Sequence, residues 1–283
     1  MERYTYLSFL IFCGILFKLI GILSQEIEIP ELGGKSLDLH PRQKRLVNKY
    51  TYENIAVPIE HVPYIVNILG NGATLCGGSI ITPITILSAA HCFVFFGMDY
   101  KIISGSNRVK NGTVHKIIRK IIPNSWNYKT HASDLALLII SPAIDLIAGP
   151  NRRIALYDRN IAAFSHGTLS GWGCHKVIMG LRFRPTHLRS TTIPIISQEE
   201  CQKLYGNRTK ILPTHICTYD RSHHRGACAH DDGGPLALLG KQIGVLARNR
   251  MVWNPPVELP DVFINVADPD IRHWIYSNAQ YVY

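Results

Sequence analysis

The chain has 283 residues, is 46% hydrophobic and 18% charged, and carries a formal net charge of +10. That apolar share supports a sizeable buried core, and so few charges exclude a disordered chain. Lysines and arginines are scattered with no basic-aromatic run, so no nucleic-acid partner is expected, whereas the positive charge leaves an acidic glycan open as a partner.

The N-terminus has Arg3, an apolar run from Leu7 to Leu23 broken by Lys18, and then Ser24-Gln25. This pattern predicts a signal peptide over 1–24, with a retained membrane anchor as the alternative. No later stretch is apolar and long enough to span a bilayer, so a secreted, extracellular chain with no membrane attachment after signal removal is expected. Residues 25–45 are polar, contain Pro30, Gly33, Gly34 and Pro41, and end in Arg42-Gln43-Lys44-Arg45. They read as a propeptide or linker, with cleavage after Arg45 exposing Leu46-Val47.

From Tyr64 onward, short runs rich in Ile, Val and Leu alternate with turn signals. They are Tyr64 to Leu69 before Asn71-Gly72, Leu75 to Ile81 before Pro83, Ile84 to Leu87, Tyr100 to Ile103 before Gly105, and Val114 to Ile122 before Pro123. Such spacing predicts an antiparallel sandwich or barrel. Two helix starts interrupt it: the capping box Ser197-Gln198-Glu199-Glu200, and Asp268-Pro269 with Ile271, Trp274 and Ile275 on one apolar face. The fold is therefore read as all-β with a C-terminal helix, in one domain over 46–283.

Of seven cysteines, Cys13 falls in the targeting segment, which leaves an even six for an oxidising compartment. Asn111-Gly112-Thr113 and Asn207-Arg208-Thr209 are glycan acceptor sequons, making Asn111 and Asn207 candidate glycosylation sites.

Leu87-Ser88-Ala89-Ala90-His91-Cys92, Asp134-Leu135-Ala136-Leu137-Leu138 and Cys228-Ala229-His230-Asp231-Asp232-Gly233-Gly234-Pro235 stand in one order along the chain. With Cys76-Gly77-Gly78-Ser79, Gly171-Trp172-Gly173 and Trp274-Ile275, they make residues 46 to 283 resemble the trypsin and chymotrypsin family of serine proteases. The resemblance implies two packed six-stranded antiparallel β-barrels with the site between them. It assigns His91 as the base, Asp134 as its orienting carboxylate and position 232 as the nucleophile.

Position 232 is aspartate, where the family pattern Gly-Asp-Ser-Gly-Gly-Pro has serine. An ionised carboxylate has no proton for His91 to take and attacks an amide poorly, so the chain is read as an inactive homologue. His230 replaces the glycine beside the oxyanion-binding amides, where a side chain is expected to crowd the hole. Two carboxylates, Asp134 and Asp232, should favour the His91 imidazolium. His91, His230 and Asp232 carry nitrogen and oxygen ligands, but Asp134 already accounts for His91 and no short-spaced ligand motif exists, so neither metal nor cofactor is expected.

By resemblance Asp231 is the aspartate that pairs with the new N-terminus, here Leu46, although Asn48-Lys49 replaces the usual two glycines. Gly226 aligns with the pocket base that is aspartate in trypsin-like members, and Asp261 with a wall position that is usually glycine. Asp261 is read either as an attractor of Arg or Lys, or as a buried or solvated acid. Ala247-Arg248-Asn249 replaces Ser-Trp-Gly at the substrate-pairing edge, so Arg248 and Asn249 make ordinary peptide docking doubtful. The resemblance pairs Cys76 with Cys92 and Cys201 with Cys217. The usual partner of Cys228 is missing, which leaves Cys174.

The expected function is a secreted serine protease homologue that binds a protein partner (protease, inhibitor or receptor) as cofactor, decoy or recognition protein. The family offers haemolymph, reproductive secretion, saliva or venom as settings. The alternatives are an active endopeptidase of unusual chemistry and a basic glycan- or matrix-binding protein.

Overall fold

The computed structural model describes residues 57–163, 165–174, 176–178, 181–221, 225–248, 251–253 and 256–281. The segments read as a signal peptide and a propeptide, with Arg45, Leu46 and Asn249, lie outside these residues. In the first half, β1 (Ile65–Gly70), β2 (Ala73–Thr82), β3 (Thr85–Ser88), β4 (Tyr100–Ser104), β5 (Thr113–Ile121) and β6 (Ala136–Ser141) close an antiparallel barrel in the order β1-β2-β3-β6-β5-β4. The first four runs read from the sequence coincide with β1 to β4. Their β-branched residues are spent on the core: Val66, Ile68, Ile80, Ile86 and Ile102 are all fully buried.

The fifth run also forms a strand, but it departs from the expected apolar character. Along β5 the sequence alternates Val, His, Lys, Ile, Ile, Arg and Lys, and Val114 and Ile118 face solvent while His115 is buried. The barrel tolerates an imidazole there because both nitrogens are bonded, Nε2 to Ser104 Oγ at 2.9 Å and Nδ1 to the Pro142 carbonyl at 2.7 Å.

The second half contains β7 (Ala155–Leu156), β8 (His166–Gly171), the hairpin of β9 (Lys176–Ile178) and β10 (Leu181–Phe183), β11 (Arg189–Ile196), β12 (His215–Thr218), β13 (Pro235–Leu238), β14 (Lys241–Arg248), the hairpin of β15 (Met251–Trp253) and β16 (Pro256–Glu258), and β17 (Asp261–Asn265). Six of these run β13-β8-β11-β12-β17-β14, and a direct β13–β14 pairing closes the ring. This is the second six-stranded barrel, with β7 added parallel to β14. Leu169, Ile193, Ile216, Leu236, Ile243 and Phe263 fill it.

Both expected helices are present. In α1 (Gln198–Tyr205) the Ser197 hydroxyl accepts the Glu200 N–H at 3.1 Å, and α2 (Pro269–Asn278) is capped by the Asp268 carboxylate, which accepts the N–H groups of Asp270 and Ile271. The chain after α2 returns to the first barrel, where the Gln280 carbonyl accepts from the hydroxyls of Thr82 at 2.5 Å and Thr85 at 2.9 Å. Ile271 and Ile275 share one apolar cluster with Ile80 and Leu138, so this helix fastens the halves together. No helix among the described residues is long and apolar enough to cross a membrane.

Candidate active site and cleft

His91 lies in the short helical turn Ala90–Phe93 that follows β3, and Asp134 sits just before β6. The strand pair β3–β6 sets their separation, because Ser88 and Ala136 are register partners. Asp134 is fully buried and accepts two bonds from His91, the backbone N–H on Oδ1 at 2.9 Å and ring Nδ1 on Oδ2 at 2.7 Å.

A second imidazole, which no motif announces, reaches the same carboxylate. His131 Nδ1 donates to Asp134 Oδ2 at 2.9 Å, and its ring stands edge-on to His91 with centroids 5.9 Å apart. The loop bends back through two left-handed residues, His131 (φ 56°) and Ser133 (φ 49°), a conformation that costs about 1–2 kcal/mol per non-glycine residue. Asn127 offsets some of that cost: its side-chain oxygen accepts the N–H groups of Lys129 and Thr130, and its own N–H donates to the Ala132 carbonyl. Since a carboxylate only accepts, both histidines carry a proton on Nδ1.

Burial penalises charge on Asp134, but the bonds from His131 and His91 outweigh it and hold the carboxyl well below the usual range. Burial likewise pulls the His91 pKa down. Its bond to Asp134, that residue's charge and the further charge of Asp232 raise it above the ordinary value. His91, His131 and Asp134 also stand close enough for a metal, with ligand atoms within 4.8 Å of one another. The two Nδ1–H bonds to the carboxylate already account for that proximity.

Asp232 and His91 line one cleft of about 480 Å³. The Asp232 loop is anchored by main-chain bonds: its carbonyl accepts the Gly77 N–H at 2.8 Å, and the Gly233 N–H donates to the Leu246 carbonyl at 2.8 Å. Gly77 must lack a side chain, since a Cβ there would sit 3.0 Å from Gly234 Cα. His230 adopts φ 78°, a left-handed value that favours the glycine its position was expected to carry. Its ring lies between Leu75 and Arg184, with Nδ1 3.3 Å from the Leu75 carbonyl and Nε2 2.7 Å from an Arg184 guanidinium nitrogen. Arginine can only donate, so Nε2 accepts and Nδ1 carries the proton.

Asp231 is 1% exposed and accepts the N–H groups of Gly173 at 2.7 Å and Cys228 at 2.9 Å. No cation pairs with it among the described residues. Burial, helped by the charges of Asp232 and Asp261, overcomes those two bonds and pushes its pKa up to about 7.

The pocket positions fare differently. Gly226 is buried, and Asp261 is a buried acid whose Oδ2 accepts the Ala227 N–H at 2.7 Å. Of the two readings of Asp261, the geometry favours a backbone-bonded acid. Arg248 lines the cleft and donates from Nη1 to Thr209 Oγ1 at 3.0 Å. The disulfides are Cys76–Cys92, Cys174–Cys228 and Cys201–Cys217. Besides His131, the cleft lining includes Tyr128, Lys129 and Arg208, which no sequence signal marked as site residues. Tyr128 and Lys129 belong to a surface loop without a motif, and Arg208 lies inside a sequon that points to Asn207 rather than to the cleft.

A family model described as Trypsin matches residues 53–275. Trypsin beta of Drosophila erecta is 29% identical over 230 residues, covering 79% of this chain and 86% of the relative. Hypodermin-B of Hypoderma lineatum is 31% identical over 231 residues, covering 78% and 84%. Among solved structures, neuropsin, a serine protease expressed in the limbic system of mouse brain, superposes with a TM-score of 0.68 at 20% identity, covering 77% of this chain and 95% of that one. With two closed barrels and a family match spanning most of its length, the chain belongs to the trypsin family.

Proposed function

We propose that this chain is a secreted, non-catalytic member of the trypsin family that acts by binding a protein partner. The observation that carries this reading is Asp232 at the nucleophile position, on the same cleft as His91. Loss of a triad nucleophile costs on the order of 10⁶ in turnover. A raised His91 pKa works in the same direction, because an imidazolium has no lone pair with which to take a proton. Left-handed His230 beside Asp232 adds a side chain where the family keeps none.

An active peptidase is the second reading. The bonded His91–Asp134 pair and the relatives named trypsins favour it. A fluorophosphonate probe separates the two, since it labels only an activated serine. We expect no label and no hydrolysis of fluorogenic peptides; labelling that disappears on denaturation overturns the proposal.

The same reading includes export by the 1–24 segment, for which three disulfides suit an oxidising compartment. It also includes glycans on Asn111 and Asn207, both exposed. Cleavage after Arg45 would free the Leu46 ammonium to pair with Asp231, whose buried carboxyl lacks a described cation.

A further inference from the structure

Among the described residues, the cleft beside His91 is lined by two exposed cations that no carboxylate pairs. Lys129, from the loop before Asp134, and Arg208, from the turn after α1, both line it and are exposed. Neither has a carboxylate within ion-pair distance among the described residues, whereas Lys101, Arg221 and Lys241 pair with Asp99, Glu200 and Asp158 at 2.9, 3.0 and 3.1 Å. Arg248 adds a second guanidinium, bonded at the wall to Thr209. Among the described residues the carboxylate that lines the cleft is that of Asp232, because the Asp134 charge is absorbed by two histidines.

The distribution also selects the kind of anion. A uniformly sulfated glycan would bring negative charge onto Asp232. A peptide can instead turn backbone N–H groups toward that carboxylate and send acidic side chains to the cations. Tyr128, 64% exposed on the same wall, offers a ring face for an intervening side chain.

We infer that this cleft recognises an acidic peptide segment, with Glu or Asp side chains placed on Lys129 and Arg208. This rests on the protein-binding reading above and gives that partner a chemistry: a chain segment carrying spaced carboxylates, opposite in sign to the Arg or Lys that an acidic pocket would draw.

The test measures binding of full-length protein to three fluorescent peptides that differ only in having Glu, Gln or Lys at alternate positions, with a heparin oligosaccharide as a fourth probe. At low salt the Glu peptide should bind about tenfold tighter than its Gln counterpart, as expected for two exposed ion pairs. Lys129→Gln with Arg208→Gln should erase that ratio, and Lys116→Gln with Arg119→Gln, exposed on β5, should leave it in place. Equal binding of Glu and Gln peptides overturns the inference, as does equal damage from both double variants or a heparin preference that the cleft variants abolish. Hydrolysis of the peptides overturns the non-catalytic reading alone, and the Glu-to-Gln preference is then read from kcat/KM.

Discussion

Replacing Asp231 by asparagine separates the charge of this carboxyl from its shape. An unfolded aspartate titrates near 3.9, while the buried side chain in the folded chain titrates at about 7. Between those values the folded state binds more protons than the unfolded state, so stability must fall as pH rises. A gap of about three units, at ~1.36 kcal/mol each, removes about 4 kcal/mol between roughly pH 4 and pH 8. Asparagine carries no charge and so no such slope. It does cost a constant ~1–3 kcal/mol, because its amide nitrogen must face one of the two N–H groups, of Gly173 or Cys228, that the carboxylate accepts. Urea denaturation of the uncut chain and of Asp231→Asn at a series of pH values should therefore give curves that cross as pH rises, with the wild type the more stable at the acidic end and the variant at the alkaline end. Cleavage after Arg45 should flatten the wild-type curve by supplying the Leu46 ammonium. Two parallel curves across this window would show that Asp231 titrates normally and refute the reasoning.

Three further outcomes are expected. By NMR, His91 should remain imidazolium above pH 6.5, its ordinary midpoint, and Asp232→Asn should lower that midpoint while leaving the bond to Asp134. Because this pKa is raised, the associated stability is present below the unfolded value and lost as pH climbs through the folded one; a His91 found neutral at pH 6 refutes the assignment. Restoring serine with Asp232→Ser should leave peptidase activity about 10²–10³ below that of an active relative if His230, as the family resemblance implies, crowds the oxyanion position, and strong activity would show that the hole is intact. Leu138→Ala, at a fully buried site on β6, should cost about 2–5 kcal/mol by denaturant melting, and a loss under 1 kcal/mol would mean that the barrel interior is loosely packed.

The sequence made the scaffold legible because its signals are local. Alternating β-branched runs end at Asn71-Gly72, Pro83 and Gly105, and β1, β2 and β4 end at or next to the same places. The caps at Ser197 and Asp268 work as their residue types require. The short strands β7, β9, β10, β15 and β16 have two or three residues each, too few for a periodic pattern to register. His91, Asp134 and two of the disulfides were legible through resemblance, and the third through the one cysteine left for Cys228. His131 was not, since it depends on two non-glycine residues taking left-handed φ in a loop, which no residue pattern announces. Lys129 and Arg208 meet across the cleft from distant parts of the chain, so only the folded arrangement shows them as neighbours.

Three main-chain bonds hold the Asp232 loop over residues 232–234. The Gly77 N–H holds its carbonyl, Gly233 donates to the Leu246 carbonyl, and the Leu246 N–H returns to Gly234 at 3.0 Å. None of these bonds involves the side chain displayed at 232. These three bonds are thus indifferent to which side chain stands at 232, and a single codon can change the chemistry on display while they stay as they were.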